Sequence, residues 1–254
     1  MTMCRVVACG DSLTVGVGDP VPRSPSYPLG LRGWVTQLVE SHPGIELVAN
    51  LAQIGATARR VRYRQLPDVA DHQPDVVTCA IGINDALSKT FDAGQFGDNY
   101  EAVIAELTRI TTRRVVTVRL HDVAAGLPIR EHRRAALRAR LAAANDVIDQ
   151  VSRKYGCWLV EVPVDRPLVK TRMLSADRLH PNGRGHRYLA ARSAEVLATN
   201  GVGQAGAPAT IPAPEPWLRR RRDDIRHLGW LGRHVLWPQV NQRWRTKATD
   251  SSPT

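Results

Sequence analysis

The chain has 254 residues, 43% of them hydrophobic and 23% charged, the proportions of an ordinary globular protein and not of a disordered or fibrous one. No apolar run approaches the ~20 residues that a membrane-spanning helix needs, which excludes a transmembrane protein. The 35 basic and 24 acidic residues give a net charge of +11, but residues 217–254 alone carry nine basic and three acidic side chains. That asymmetry argues for a mildly basic body with a basic tail and against a nucleic-acid-binding surface over the whole chain.

In chain order, Cys4–Cys9 is a short β-rich run ending at Gly10, and Pro20–Pro28 is a loop with four prolines. Trp34–Glu40 has helical spacing, Ile45–Asn50 reads as a second strand, and Thr57–Leu66 as a basic helix. Asp75–Ile81 is the continuous apolar run of a strand covered on both faces. A helix follows over Gly97–Thr111, a fourth strand over Arg114–Leu120, and a long Ala/Arg-rich helix over Arg130–Tyr155 with Gly156 at its end. Trp158–Val162 is the fifth strand and Asn182–Thr199 the last helix of the body. Strands separated by helical stretches call for parallel pairing in a layered α/β sandwich. The four cysteines, Cys4, Cys9, Cys79 and Cys157, sit in or beside the strands and read as reduced core thiols. No charged segment followed by an apolar stretch precedes the first strand, so the expected location is the cytoplasm.

In open parallel sheets, ligands bind beyond the carboxyl ends of the strands. There the sequence places Gly10-Asp11-Ser12-Leu13-Thr14, then Asn50 with Gly55, then Gly82-Ile83-Asn84-Asp85, and, before the last helix, Asp177-Arg178-Leu179-His180-Pro181. A serine hydroxyl becomes a nucleophile when an imidazole takes its proton, and a carboxylate fixes the tautomer of that imidazole. Asp177 and His180 are close enough on one loop to form such a pair. Backbone N–H groups at Ser12 and Gly55, with the Asn84 amide, would supply donors for an oxyanion. Each residue also has an ordinary local use: Ser12 as a helix cap, Asn84 in a turn, Asp177 as an acceptor at a helix entry. Their joint occurrence with His180 favours chemistry. Asp11 and Asp85 are expected to support these groups by hydrogen bonding, His121-Asp122 to lie on a surface loop, with lining of the pocket as the alternative, and His186 to be structural. No His/Cys/Asp cluster has the spacing of metal ligands, and no cofactor is expected.

Taken in order, GDSLT at 10–14, the Gly55 loop, GIND at 82–85 and DRLHP at 177–181 resemble the four sequence blocks of the GDSL or SGNH hydrolase superfamily, over about residues 4–199. The resemblance implies a flavodoxin-like three-layer α/β/α fold with a five-stranded parallel sheet. It implies Ser12 as nucleophile, His180 as base and Asp177 as its orienter, with Ser12, Gly55 and Asn84 forming the oxyanion hole. The implied activity is hydrolysis of a small acyl ester, O-acetyl group or acyl thioester through an acyl-enzyme. Two alternatives are an acyltransferase using the same intermediate and a catalytically silent binding module.

Residues 1–199 thus form the expected catalytic domain, 200–216 a Gly/Ala/Pro-rich linker, and 217–254 a basic extension with four of the six tryptophans. If helical, the extension would set Trp217, Leu228, Leu231 and Val235 on one face and Arg219, Arg222, Arg226 and Arg233 on the other. The apolar face is expected to pack back on the body, with peripheral contact to an anionic membrane and a lid or partner-binding role as the alternatives. Because the four blocks end by Pro181, the extension is expected to stand apart from the chemistry. The sequence gives no oligomeric state.

Overall fold

Along Cys4–Gly10, Val6 and Ala8 are buried in one apolar cluster and Val7 and Cys9 in another. Side chains of a strand alternate between faces, so this one strand anchors two hydrophobic layers. The computed structural model, which describes residues 3–162, 168, 172–203, 212–213 and 216–233, builds a sheet around it. The strands are β1 (Cys4–Gly10), β2 (Ile45–Asn50), β3 (Val76–Ala80), β4 (Arg114–Val118) and β5 (Trp158–Val160), all parallel, in the order β2-β1-β3-β4-β5.

The helices of the body in chain order are α1 (Ser12–Val15), α2 (Gly33–Ser41), α3 (Ala58–Arg64), α4 (Leu66–Val69), α5 (Ile83–Leu87), α6 (Ala93–Ile110), α7 (Glu131–Lys154) and α8 (Gly183–Thr199). On one face of the sheet α2 contributes Trp34, Val35 and Leu38, and α8 contributes Leu189, Ala190, Ala194 and Leu197. On the other, Val61 of α3 joins Tyr100, Val103, Ile104 and Leu107 of α6 and Ala144, Ile148 and Val151 of α7. The spacing of the α6 residues keeps them on one stripe, and full burial of each aliphatic side chain stabilises by about 1.5–3 kcal/mol. The architecture is the expected three-layer α/β/α sandwich. Crossovers leave β1 toward α2 and β3 toward α6, on opposite faces, so β1 and β3 flank the switch point where such sheets open a crevice.

Some boundaries differ from the sequence expectation. Helix α6 starts four residues earlier than Gly97, because the Asp92 side chain accepts from Gln95 N (2.6 Å) and caps it, a bond worth ~1 kcal/mol that outweighs the two glycines of the first turns. The one-turn helix α5 is too short to show a period. The cysteines are unpaired, and burial pushes the Cys9 thiol up to about 12. Among the described residues no helix is long and apolar enough to cross a membrane.

Beyond α8 most of 200–216 lies outside the described residues, and the chain is next seen as α9 (Trp217–Leu231). The expected packing of its apolar face does not hold for Trp217 and Leu228, which, like Leu218 and Ile225, are more than half exposed. Among the described side chains of α9 the buried one is His227, 1% exposed. Val235 and the side chain of Leu231 lie outside the described residues.

One buried amide holds the end of β1. Gln65, at the close of α3, is fully buried; its Nε2 donates to Gly10 O (2.8 Å) and its Oε1 accepts from Gly10 N (2.9 Å). Replacing it with leucine strands the buried Gly10 N–H, at about 1–3 kcal/mol. Gln65→Leu should lower the midpoint of urea unfolding by a corresponding amount; an unchanged midpoint would mean that this amide does not hold the strand end.

Candidate active site

Asp11, not Ser12, caps the turn that follows β1. Its Oδ1 accepts from Leu13 N at 2.9 Å, which satisfies a helix-end donor and leaves the Ser12 hydroxyl free for another partner. That partner arrives from 168 residues away: His180 Nε2 lies 2.7 Å from Ser12 Oγ.

The histidine is delivered by a tight loop. Leu174 bridges Pro181 in antiparallel fashion, and Ser175 N donates to His180 O at 2.8 Å. Inside the loop Asp177 Oδ1 accepts from Ser175 Oγ (2.6 Å), Leu179 N (3.0 Å) and His180 N (3.1 Å). These bonds hold Arg178 at φ 57, a left-handed conformation uncommon outside glycine. The same turn sets Asp177 Oδ2 2.7 Å from His180 Nδ1. With Nδ1–H donating to the carboxylate, Nε2 is the acceptor facing the Ser12 hydroxyl.

Backbone contacts lock the serine and histidine loops together. His186 of α8 is fully buried and pairs through Nε2 with Val17 O at 3.0 Å, the structural part expected of it. A Cβ on Gly18 (φ +103) would stand 1.9 Å from Pro181 O, so only glycine lets the loops approach this closely. Gln37 Nε2 donates both to Asp19 Oδ2 (2.7 Å) and to Gly183 O (3.2 Å), tying the two loops to α2.

The expected oxyanion donors are placed less uniformly. Ser12, Asn84 and His180 line one cleft with His121, Ile83 and Leu179. Asn84 Nδ2 already donates to Ala56 O (2.9 Å) and, more weakly, to Asp11 Oδ2 (3.3 Å). Gly55 does not line the cleft. It occupies the left-handed position (φ +74) of a turn closed by Ala56 N donating to Gln53 O at 3.1 Å, next to the residue that Asn84 holds. His121 corrects the surface-loop expectation: it lines the cleft, and burial drives its pKa down to about 4 against a hydrogen bond with the Leu179 backbone. Its ring is therefore neutral at pH 7. No periodicity marks such a residue, because it follows the strand by only three positions on an irregular segment.

Carboxylates around the cleft are pushed in opposite directions. Burial alone would raise Asp177, but hydrogen bonds from His180, His227 and Ser175 hold it far below the ordinary carboxylate range. His227 comes from α9, its Nε2 3.4 Å from Asp177 Oδ2, so the extension does not stand apart from the site as expected. Asp11 and Asp85 are raised to about 6, each mainly by burial. Both play the supporting parts read from the sequence, Asp11 at Leu13 and Asn84, and Asp85 accepting from Ala58 N at 3.1 Å. A carboxyl raised by folding contributes stability fully present below its unfolded pKa, near 3.8, and lost as pH rises through about 6. Asp85→Asn keeps an acceptor for Ala58 N and removes the buried charge. It should narrow the fall in unfolding free energy between pH 4.5 and 7.5, by up to about 2 kcal/mol; a fall as steep as the parent's would contradict the assignment.

Comparison with known proteins identifies the fold and the family. The GDSL-like lipase/acylhydrolase family model matches residues 8–188. Among solved structures, an α/β hydrolase enzyme, LAE5, from the metagenome of Lake Arreo, Spain, aligns with a TM-score of 0.60 at 22% identity, covering 80% of this chain and 97% of its own. The acetylxylan esterase Axe2 of Geobacillus stearothermophilus aligns with a TM-score of 0.61 at 19% identity, covering 77% of this chain and 94% of its own. At these identities the likeness is one of fold. No curated protein matches in sequence. A family match over most of the chain, on the segments that carry the serine, asparagine and histidine loops, makes the chain a member of the GDSL-like lipase/acylhydrolase family of carboxylic ester hydrolases.

Proposed function

We propose that the protein hydrolyses esters of small acyl groups through an acyl-enzyme on Ser12. The observation that carries this is the unbroken chain from Ser12 Oγ to His180 Nε2 (2.7 Å) and from His180 Nδ1 to Asp177 Oδ2 (2.7 Å). His180 takes the hydroxyl proton as Ser12 Oγ attacks the carbonyl carbon. Asp177, ionised throughout, stabilises the imidazolium that forms. His180 then returns the proton to the leaving alcohol. Water, activated by the same imidazole, releases the acid and regenerates Ser12.

The tetrahedral oxyanion would be met by backbone N–H groups of Ser12 and Gly55 and by the Asn84 amide. Asn84 can serve by yielding its longer bond, the one to Asp11 (3.3 Å), while the bond to Ala56 O (2.9 Å) keeps it oriented. The neutral His121 and the side chains of Ile83 and Leu179 border the space for the acyl group or alcohol. The cleft encloses little free space beside Ser12 and His180, which favours a short acyl chain over a long one. The acetyl ester named in the activity of Axe2 belongs to that size class.

With p-nitrophenyl esters, kcat/KM should be highest for acetate or propionate and fall as the acyl chain lengthens. Ser12→Ala should lose at least ~10³-fold in kcat on the acetate, as removal of a nucleophile does elsewhere. Parent-like turnover by Ser12→Ala would defeat the acyl-enzyme reading, and a preference for long chains would defeat the size assignment.

A further inference from the structure

Helix α9 lies beyond the 8–188 segment that matches the family, yet its His227 is almost completely buried and faces the Ser12–His180–Asp177 chain. We propose that His227 is a positioning residue for Asp177, which makes α9 part of the catalytic centre. The proposal rests on the reading of that chain as the reaction centre.

Three observations support it. First, His227 Nε2 approaches the same carboxylate oxygen that accepts from His180 Nδ1, at 3.4 Å against 2.7 Å. The other oxygen takes Ser175 Oγ, Leu179 N and His180 N. A carboxylate has about four lone-pair positions, and with His227 in place each oxygen of Asp177 meets at least two protein donors. Without it, the side of Oδ2 away from His180 would lose its donor and open to water, which screens the attraction between the carboxylate and the developing imidazolium. Second, the helix chooses a histidine for its buried position. Leu218, Ile225 and Leu228 stay exposed while His227 is 1% exposed. An apolar residue would seal the interface at lower desolvation cost, since a buried polar ring is costly unless hydrogen-bonded. Third, the strap leading to α9 is anchored on the same side of the fold: Arg184 Nη2, in the first turn of α8, donates to Pro212 O at 2.5 Å.

In this arrangement His227 moves no proton. It donates Nε2–H to Asp177 and keeps the carboxylate in the plane that the His180 ring requires. Its contribution grows when His180 becomes positively charged, so it acts on kcat and leaves KM alone. The test uses the full-length chain with p-nitrophenyl acetate and compares His227→Leu, which has no donor, with His227→Gln, whose amide reaches nearly as far as the imidazole Nε2, and His227→Asn, whose amide does not. The expected result is a loss of about tenfold in kcat for Leu and Asn, the worth of one hydrogen bond to a charged group, with KM within twofold of the parent and most of the loss recovered in Gln. Should the leucine variant fail to fold, the Gln and Asn pair still separates reach from packing. The proposal is overturned if Asn or folded Leu keeps the parent kcat while Ser12→Ala is inactive, or if Gln and Asn lose kcat equally. Parent-like activity in Ser12→Ala is the distinct outcome that removes the underlying reading, and the proposal with it.

Discussion

Two loops that are remote in sequence meet at the carboxyl end of the sheet through their backbones as well as their side chains. Gly18 packs against the Pro181 carbonyl where no Cβ fits, and His186 hydrogen-bonds the Val17 carbonyl. The 2.7 Å approach of His180 to Ser12 is the visible end of this junction. Loss of the backbone fit would leave serine and imidazole each correctly built and out of reach of each other. The sheet order creates the place for the junction: crossovers that leave β1 and β3 on opposite faces open a crevice, and the serine and asparagine loops fall on its two sides.

Burial is the common electrostatic condition of the site, and partners decide its outcome. Asp177, with donors on both oxygens, is held well below the ordinary carboxylate range. Asp11 and Asp85, with fewer donors, are pushed up to about 6, and His121, with one backbone bond, is pushed down to about 4. Carboxylates separated in this way by their surroundings take different tasks: one supports a positive charge that appears during the reaction, and the other two brace the loops that frame the cleft.

Strand positions and the four loops that gather at the sheet end were legible in the sequence because short apolar runs and polar residues placed directly after them report backbone position with little ambiguity. Asp177 and His180 share one turn, so their spacing alone foretold the contact. Gly55 was legible as the centre of a loop after the second strand, but the direction of its N–H depends on tertiary context that spacing does not carry. The Gln65 amide looked like one more polar residue at the end of a basic helix, and nothing local distinguishes a buried glutamine from an exposed one. The tail was misread for a related reason. A stripe of Trp217 and Leu228 suggests a buried face, whereas α9 turns those residues outward and, among its described side chains, buries a histidine, which has no periodic signature among so many arginines.

The shared proton path between Ser12 and His180 can be tested by covalent trapping. The full-length protein should react once with a fluorophosphonate, the adduct should map to the peptide carrying Ser12, and His180→Ala should slow labelling by orders of magnitude while the protein remains folded. Labelling at another serine, or unchanged labelling in His180→Ala, would contradict the claim that the fold joins these two residues into one reactive unit.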